Sequence, residues 1–178
     1  MRKNALEITL EERIRDRTFS DIANAMPTIV WTADPDGYTD YFNRHWYKYT
    51  GLTAEQSIGW AWGGTIHPDD LANCLQRWSN AWEKGETYEI EYRLKSADGT
   101  FRWFKGIGLP VRDTSGNITK WFGICTDIEE QKQAVLSLEA RYATIIGSLQ
   151  QRIVELEGKL ANSNPDARIL EMNFEESA

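Results

Sequence analysis

The sequence predicts an α+β domain in which two strands, a group of short helices and three further strands follow one another. The turn signal Asp34-Pro35-Asp36-Gly37 joins two β-prone segments and predicts a hairpin. Residues 88–95 alternate apolar and polar side chains, which is the period of a strand with one buried face. Beyond Glu129 the apolar side chains recur at steps of three and four, which indicates a long helix.

The chain begins with a predicted flanking helix, a hairpin and a short helix. The flanking helix covers residues 1–25, and the hairpin strands lie at residues 29–31 and 38–42. The short helix runs between Asn43, a residue type that caps helix starts, and Gly51, a residue type that ends helices.

Two more helices are predicted before the second group of strands. Thr53-Ala54-Glu55-Gln56 has the pattern of a capping box, in which the first and fourth residues each satisfy the other's backbone amide. His67-Pro68-Asp69-Asp70 opens a longer helix to about Lys84, because proline is favoured at the first helical position. The buried stripe of this helix is predicted to be Leu71, Leu75, Trp78 and Trp82.

Three antiparallel strands and a coiled coil complete the predicted architecture. The strands lie at residues 88–95, 101–111 and 118–128. Residues 129–161 form the coiled-coil helix, and residues 162–178 form a tail that is predicted to be disordered. The apolar positions of this helix step by four residues to Leu149 and then by four, three and four to Ile153, Leu156 and Leu160. The two consecutive steps of four create a stutter, which locally unwinds a left-handed supercoil.

Composition and charge exclude several function classes. The 178 residues carry a formal net charge of -7, which repels nucleic acid and anionic membrane surfaces. No apolar run is long enough to span a bilayer and no signal-peptide core follows Met1, so we expect a cytoplasmic protein. Cys74 and Cys125 lack the spacing of a disulfide framework or a zinc site. No spacing of a nucleophile, a base or a phosphate-binding loop indicates an enzyme.

A series of short motifs is spread over residues 18–130. The first is Met26-Pro27-Thr28-Ile29-Val30-Trp31, which precedes the hairpin turn described above. The others are Tyr41-Phe42-Asn43-Arg44-His45-Trp46, Tyr49-Thr50-Gly51, Ile66-His67-Pro68-Asp69-Asp70, Asp98-Gly99 and Gly123-Ile124-Cys125-Thr126-Asp127-Ile128. In both order and spacing these motifs resemble those of PAS domains, of the kind found in sensor histidine kinases and diguanylate cyclases.

The resemblance implies a PAS domain over residues 26–128, with a five-stranded antiparallel sheet, helices on one face and an internal cavity. In some family members that cavity holds a ligand, and in others it is filled core. The resemblance also implies that Asp127 anchors the sheet to the outgoing helix. Family members usually carry Thr or Ser where this chain has Glu129, so the hydrogen bond of that hydroxyl is not expected here.

The candidate cavity lining consists of large rings and one histidine, and no cofactor is identified. His67 resembles the helical haem ligand of some PAS domains, although its place at a helix start already explains the segment. The tryptophans are candidates either for the walls around a planar ligand or for ordinary core. The candidates are Trp46, Trp62, His67, Trp78 and Trp82.

These features predict a sensory or dimerisation module in two-component or cyclic-dinucleotide signalling. Its C-terminal helix pairs with that of a second copy, and a small-molecule ligand or a partner protein biases the pair. The alternative is a ligand-free interaction domain, a scaffold or stand-alone regulator, that docks a protein through a sheet face with Trp103 and Trp121. The residues predicted to relay the signal are Asp127, Ile128, Val135, Leu138, Tyr142, Ile145 and Leu149.

Overall fold

The computed structural model describes residues 5–163, apart from the side chains of residues 5–8 and 10. The predicted tail therefore lies outside the described residues, except for its first two positions. The chain divides into two compact units, Met1–Glu130 and Gln131–Ala178. In chain order the elements are α1 (Ala5–Ala25), β1 (Ile29–Ala33), β2 (Thr39–Phe42), α2 (Arg44–Thr50), a 3-10 helix (Ala61–Thr65), α3 (Pro68–Lys84), β3 (Tyr88–Lys95), β4 (Phe101–Arg112), β5 (Ile118–Asp127) and α4 (Glu129–Ser163).

The five strands form one antiparallel sheet in the order β2-β1-β5-β4-β3, which confirms the predicted α+β architecture. The hairpin strand β1 pairs with the last strand β5, so the two ends of the domain meet in the middle of the sheet. Helices α2 and α3 pack against the inner face of the sheet, and their contact with it forms the hydrophobic core.

The inner face has a glycine floor, which we define as Gly106, Gly108 and Gly123. Trp31 reaches across this floor from β1, because a Cβ atom at Gly123 would lie 2.1 Å from two of its ring carbons and one at Gly108 would lie 2.7 Å from its ring. Tyr92 reaches inward from the opposite side, and a Cβ at Gly106 would lie 2.9 Å from its ring. The two rings occupy the space that larger side chains on β4 and β5 would fill.

Asn43 joins the first helix to the sheet instead of capping α2 with its side chain. It holds the capping position before α2, yet its side chain makes no capping hydrogen bond. The side-chain oxygen accepts from the amide of Val30 at 3.1 Å, and the side-chain nitrogen donates to the carbonyls of Ala23 at 2.7 Å and Thr28 at 2.9 Å. The predicted capping role is wrong for this side chain, because a buried Asn here satisfies three backbone groups at once.

The last turns of α1 pack on the outer face of the sheet. Phe19 contacts Tyr41 and Phe122, with ring centroids 5.2 and 5.4 Å apart. The side-chain oxygen of Asn24 accepts from the amide of Arg44 at 2.7 Å, so α1 supplies the side chain that satisfies the start of α2. The predicted flanking helix is thus part of the folded domain at its C-terminal end.

Two local predictions are wrong. Residues 54–58 form a turn instead of a helix, although the side chain of Gln56 accepts from the amide of Thr53 at 3.0 Å, as in the predicted capping box. Leu75 on α3 is 38% exposed, and the buried face of α3 is Cys74, Trp78 and Ala81. Two polar contacts that do not belong to the apolar pattern fix the rotation of α3 about its axis. Asp70 pairs with Arg93, and the indole nitrogen of Trp78 donates to the carbonyl of Gly37.

The second unit is formed by nearly all of α4, a helix of 35 residues. At 1.5 Å per residue, its length is about 50 Å. None of its side chains, all of which the structure describes, is buried. The apolar side chains on it are between 48 and 70% exposed. The long helix is as predicted, and its pairing into a coiled coil stays a prediction.

Candidate functional site

A small cavity of about 40 Å³ lies between the sheet and the helices that cover its inner face. For comparison, an apolar protein cavity of about 150 Å³ binds benzene. With the side chains as placed, neither haem nor flavin fits this space. Most of the lining is aromatic, formed by Trp31, Phe42, Trp46, Trp62, Trp78, Tyr88 and Tyr92.

Trp78 is the centre of the aromatic wall. Its ring meets those of Trp31, Tyr88 and Trp121 edge to face, with centroids 5.3, 5.2 and 5.3 Å apart. Its indole nitrogen donates to the carbonyl of Gly37 at 3.1 Å, and this bond ties α3 to the hairpin turn. Edge-to-face contacts stabilise these rings beyond the contribution of their buried area, so the aromatic side chains around the cavity are fixed in place.

The polar groups near the cavity are uncharged. The hydroxyl of Tyr92 donates to the thiol of Cys125 at 3.0 Å, and the hydroxyl of Tyr88 lies 3.3 Å from the thiol of Cys74. Burial raises the pKa of Cys125 to about 12 and that of Cys74 to about 11. Burial also raises the pKa of both tyrosines well above the usual value. At neutral pH these four groups therefore all carry their protons.

One indole in the lining is left without a hydrogen bond. Trp46 donates to the hydroxyl of Ser57 at 2.9 Å, and Trp78 is satisfied as described. The indole nitrogen of Trp62 is buried and has no partner among the residues that the structure describes. The same holds for the indole nitrogens of Trp82 and Trp121, which do not line the cavity.

Three of the five predicted cavity residues line the cavity. These are Trp46, Trp62 and Trp78, whereas His67 and Trp82 lie outside the lining. His67 caps α3, since its Nδ1 accepts from the amide of Asp69 at 3.2 Å. Among the side chains that the structure describes, no cluster of His, Cys, Asp or Glu could hold a metal ion. The position of His67 supports its structural role and not that of a cavity ligand.

Asp127 forms the junction between the sheet and α4. Its carboxylate accepts from Arg102 on β4 at 2.7 and 3.3 Å and from the amide of Glu129 at 2.9 Å. The side chain of Glu129 accepts from the amide of Trp103 at 2.9 Å, and the amide of Ile128 donates to the carbonyl of Trp103 at 2.9 Å. Glu129 therefore makes a side-chain hydrogen bond to β4 without a hydroxyl, because a carboxylate also accepts from an amide.

Of the two residues predicted to form the interaction surface, Trp121 is not on the surface. Trp121 is 0% exposed and belongs to the core, because β5 directs Trp121, Gly123 and Cys125 inward. Trp103 is half-buried, and the guanidinium of Arg93 lies 5.3 Å from its ring centroid. The apolar residues that the outer face does expose were missed by the prediction, and they include Leu109, Phe122 and Ile124. No pattern in the sequence separates them from the inward residues, because apolar side chains occupy both faces of β5.

Comparison with known proteins defines the class of the folded domain. Residues 39–125 match the family model described as the PAS fold. The N-terminal domain of a diguanylate cyclase with a PAS/PAC sensor from Marinobacter aquaeolei has a similar structure. It superposes with a TM-score of 0.53 at 22% identity, over 59% of this chain and 98% of that one. The folded domain of this chain therefore has the PAS fold.

Two curated relatives are similar in sequence to that domain. The uncharacterized protein y4lL of Sinorhizobium fredii is 32% identical over 122 residues, which are 67% of this chain and 15% of that protein. The peroxide stress-activated histidine kinase mak1 of Schizosaccharomyces pombe is 35% identical over 123 residues, 68% of this chain and 7% of that protein. The chain thus spans a small part of the length of these relatives. PAS domains are sensory modules. Within residues 5–163, no helix has the length and apolar character to cross a bilayer.

Proposed function

We propose that this chain is a cytoplasmic PAS sensory module that passes a ligand- or partner-dependent change from its cavity to a paired C-terminal helix. A single observation carries the proposal: strand β5 connects the two sites. Cys125 on β5 lines the cavity. Two residues later, Asp127 holds both Arg102 and the first amide of α4. A shift of β5 caused by a change in the cavity therefore acts directly on the start of α4.

Exposed apolar side chains on α4 support pairing with a second copy of the chain. Leu138, Tyr142 and Leu149 are each about half exposed along one stripe of a helix that buries none of its side chains. A single helix of this kind gains little stability from its own hydrogen bonds in water, and a coiled-coil partner would bury the stripe. The stutter beyond Leu149 gives the pair two windings to choose between.

The receiver of the signal is an output domain or a partner protein, as in two-component or cyclic-dinucleotide signalling. The similarity to a histidine kinase and to a diguanylate cyclase sensor domain supports this class of output. The PAS domain passes on the signal without catalysis of its own. The ligand shifts the populations of two dimer arrangements, and the size of the response is limited by its differential affinity for them.

The name of the fission-yeast kinase refers to peroxide stress. Peroxide reacts with thiolates, and reactive cysteines have a low pKa. In this chain burial raises the pKa of Cys74 and Cys125 to about 11 and about 12. Direct oxidation of these two thiols is therefore disfavoured as the signal.

A ligand-free interaction domain is the second candidate function, and the small volume of the cavity favours it. In that case a partner protein with an apolar surface covers the exposed side chains of the outer sheet face, such as Leu109 and Phe122. The two candidates differ in whether the cavity responds to any small molecule.

Disulfide trapping along α4 tests the relay. A cysteine at Leu138 or at Leu149 forms a disulfide with its own copy in a parallel pair, and the buried native thiols do not compete. Asp127→Ala removes the carboxylate that holds Arg102 and caps α4. Loss of such a cap is worth about 1 kcal/mol, so we expect the ratio of trapping rates at the two positions to change roughly fivefold.

The matched control is Asp36→Ala, which removes one carboxylate from the exposed hairpin turn. This variant is expected to leave the ratio of trapping rates unchanged. Identical trapping patterns in wild type and Asp127→Ala would show that the junction does not communicate with the helix pair.

A further inference from the structure

We propose that the cavity of this domain binds a small uncharged molecule with a hydrogen-bond acceptor, to which the indole N–H of Trp62 donates. The inference rests on the proposed sensory function and specifies the chemical class of its ligand. Three properties of the cavity lead to it: the charge of the lining, the volume, and the one indole in the lining that is left without an acceptor.

The lining selects against charged ligands. Its residues are aromatic and aliphatic, with Thr39 and Cys125 as the remaining members, and none is an acid or a base that ionises at neutral pH. The thiol and the two tyrosine hydroxyls keep their protons because burial disfavours their anions. A charged ligand would lose its hydration and find no opposite charge, so a neutral ligand is favoured.

The volume selects for a ligand of a few heavy atoms. The cavity measures about 40 Å³. A water molecule requires about 10–15 Å³ on the same scale, and benzene about 150 Å³. A larger guest would have to displace Trp31, which lies flat on Gly108 and Gly123 and packs edge to face against Trp78. The ring of Trp31 thus takes much of the room that a planar cofactor would need.

Trp62 supplies the polar contact. Of the four indoles in the lining, Trp31 bonds to Cys125, Trp46 to Ser57 and Trp78 to Gly37. The buried nitrogen of Trp62 has no acceptor within the described part of the chain. A buried donor without a partner is costly, and an acceptor atom in the cavity recovers that cost. An oxygen-bearing neutral molecule is therefore preferred over a hydrocarbon of equal size.

The segment that carries Trp62 offers a route of entry. Trp62 lies in the 3-10 helix, followed directly by Gly63 and Gly64, and no atom lies within 4 Å of where a Cβ would stand at Gly64. The hydrogen bonds of this turn are local, such as the one of 3.2 Å from the amide of Gly63 to the carbonyl of Trp60. Displacing the turn would therefore leave the strand pairing of the sheet intact.

Three probes of the same size and different polarity test the inference. Methanol is neutral and carries an acceptor, ethane has the same shape without one, and methylammonium has the same shape with a charge. The full chain is labelled with ¹⁵N, and the indole N–H signals are followed by NMR while each probe is added. The Trp62 signal is assigned by its loss in Trp62→Phe.

We expect methanol to move the Trp62 signal downfield in a saturable manner, and ethane and methylammonium to leave it in place. In Trp62→Phe the saturable response of the other cavity indoles to methanol should weaken at least tenfold. The control is Trp60→Phe, which changes a 48% exposed indole two residues before Trp62 and should preserve the Trp62 response. The remaining indole signals report whether each variant is folded.

A linear, unsaturable shift with methanol, or an equal response to methylammonium, would overturn the inference. An unchanged Trp62 signal with all three probes would also overturn it, because the cavity would then admit none of these molecules. These outcomes leave the pairing of α4 untouched, whereas failure of the relay shows in disulfide trapping and not in the indole spectrum. The two proposals therefore fail separately.

Discussion

Gly123→Ala is expected to lower the free energy of unfolding by about 3 kcal/mol, the upper part of the range for overpacked cores. The new methyl group would stand 2.1 Å from two ring carbons of Trp31 and 2.7 Å from the backbone carbonyl of Ile107. Trp31 cannot move aside, because its ring also contacts Trp78 at a centroid distance of 5.3 Å. The strain must then move β1, β5 or α3.

Urea unfolding measures this loss, and Gly64→Ala is the matched control. A Cβ at Gly64 meets nothing within 4 Å, so that change is expected to alter stability by less than about 0.5 kcal/mol. Adding Trp31→Ala to Gly123→Ala should relieve the clash. The double variant should therefore lose less stability than the sum of the two single variants, since the two residues are in contact. Equal stability of Gly123→Ala and wild type would show that Trp31 does not lie on the glycine floor in solution.

Asn43→Ala is expected to destabilise the domain by about 3 kcal/mol or more, because it leaves buried backbone groups without partners. The side chain is 1% exposed and bonds to the amide of Val30 and the carbonyls of Ala23 and Thr28. Asn43→Asp should be at least as harmful, since a carboxylate accepts from Val30 but cannot donate to the two carbonyls.

Chemical denaturation combined with hydrogen exchange checks this prediction. In Asn43→Ala the amide of Val30 should lose protection, and in both Asn43 variants the last turn of α1 should exchange faster than the rest of the domain. Asn80→Ala, on the exposed face of α3, is the control and should stay within about 0.5 kcal/mol of wild type. If Asn43→Ala unfolded at the same urea concentration as Asn80→Ala, the link from α1 to the sheet would be refuted.

The strands and long helices could be predicted because they follow from local patterns. The alternation of residues 88–95 gives β3, whose side chains are alternately buried and exposed or half-buried. The turn chemistry of residues 34–37 gives the hairpin, in which Gly37 has a φ of 82°. Each of these signals depends on neighbours in the chain, so no knowledge of tertiary packing is needed.

Which residues of β5 point inward was harder to predict, because apolar side chains occupy both faces of the strand. Trp121 and Cys125 point inward, while Phe122 and Ile124 point outward. Gly123, on the same inner face, carries no hydrophobic signal although it is the residue on which Trp31 rests. A strand with two apolar faces has no alternation to read, and the inner face emerges only from its partners in the sheet.

The candidate site was predictable in its residue types and not in its volume. The rings of Trp46, Trp62 and Trp78 were identified as cavity lining, and all three line it. The space left between them depends on where Trp31 lies, which is decided by glycines on β4 and β5 far away in the chain. The role of Glu129 was missed for a similar reason, since its acceptor function needs the amide of Trp103 on β4.

Sedimentation velocity at micromolar concentration shows whether α4 pairs with that of a second copy. Leu149→Asp places a charge on the exposed apolar stripe, and Gln151→Asp places the same charge two residues later, on the other side of the helix. We predict that wild type and Gln151→Asp sediment as dimers and that Leu149→Asp sediments as a monomer. A wild-type chain that sediments as a single subunit, or a Leu149→Asp variant that dimerises as well as Gln151→Asp, would contradict the account.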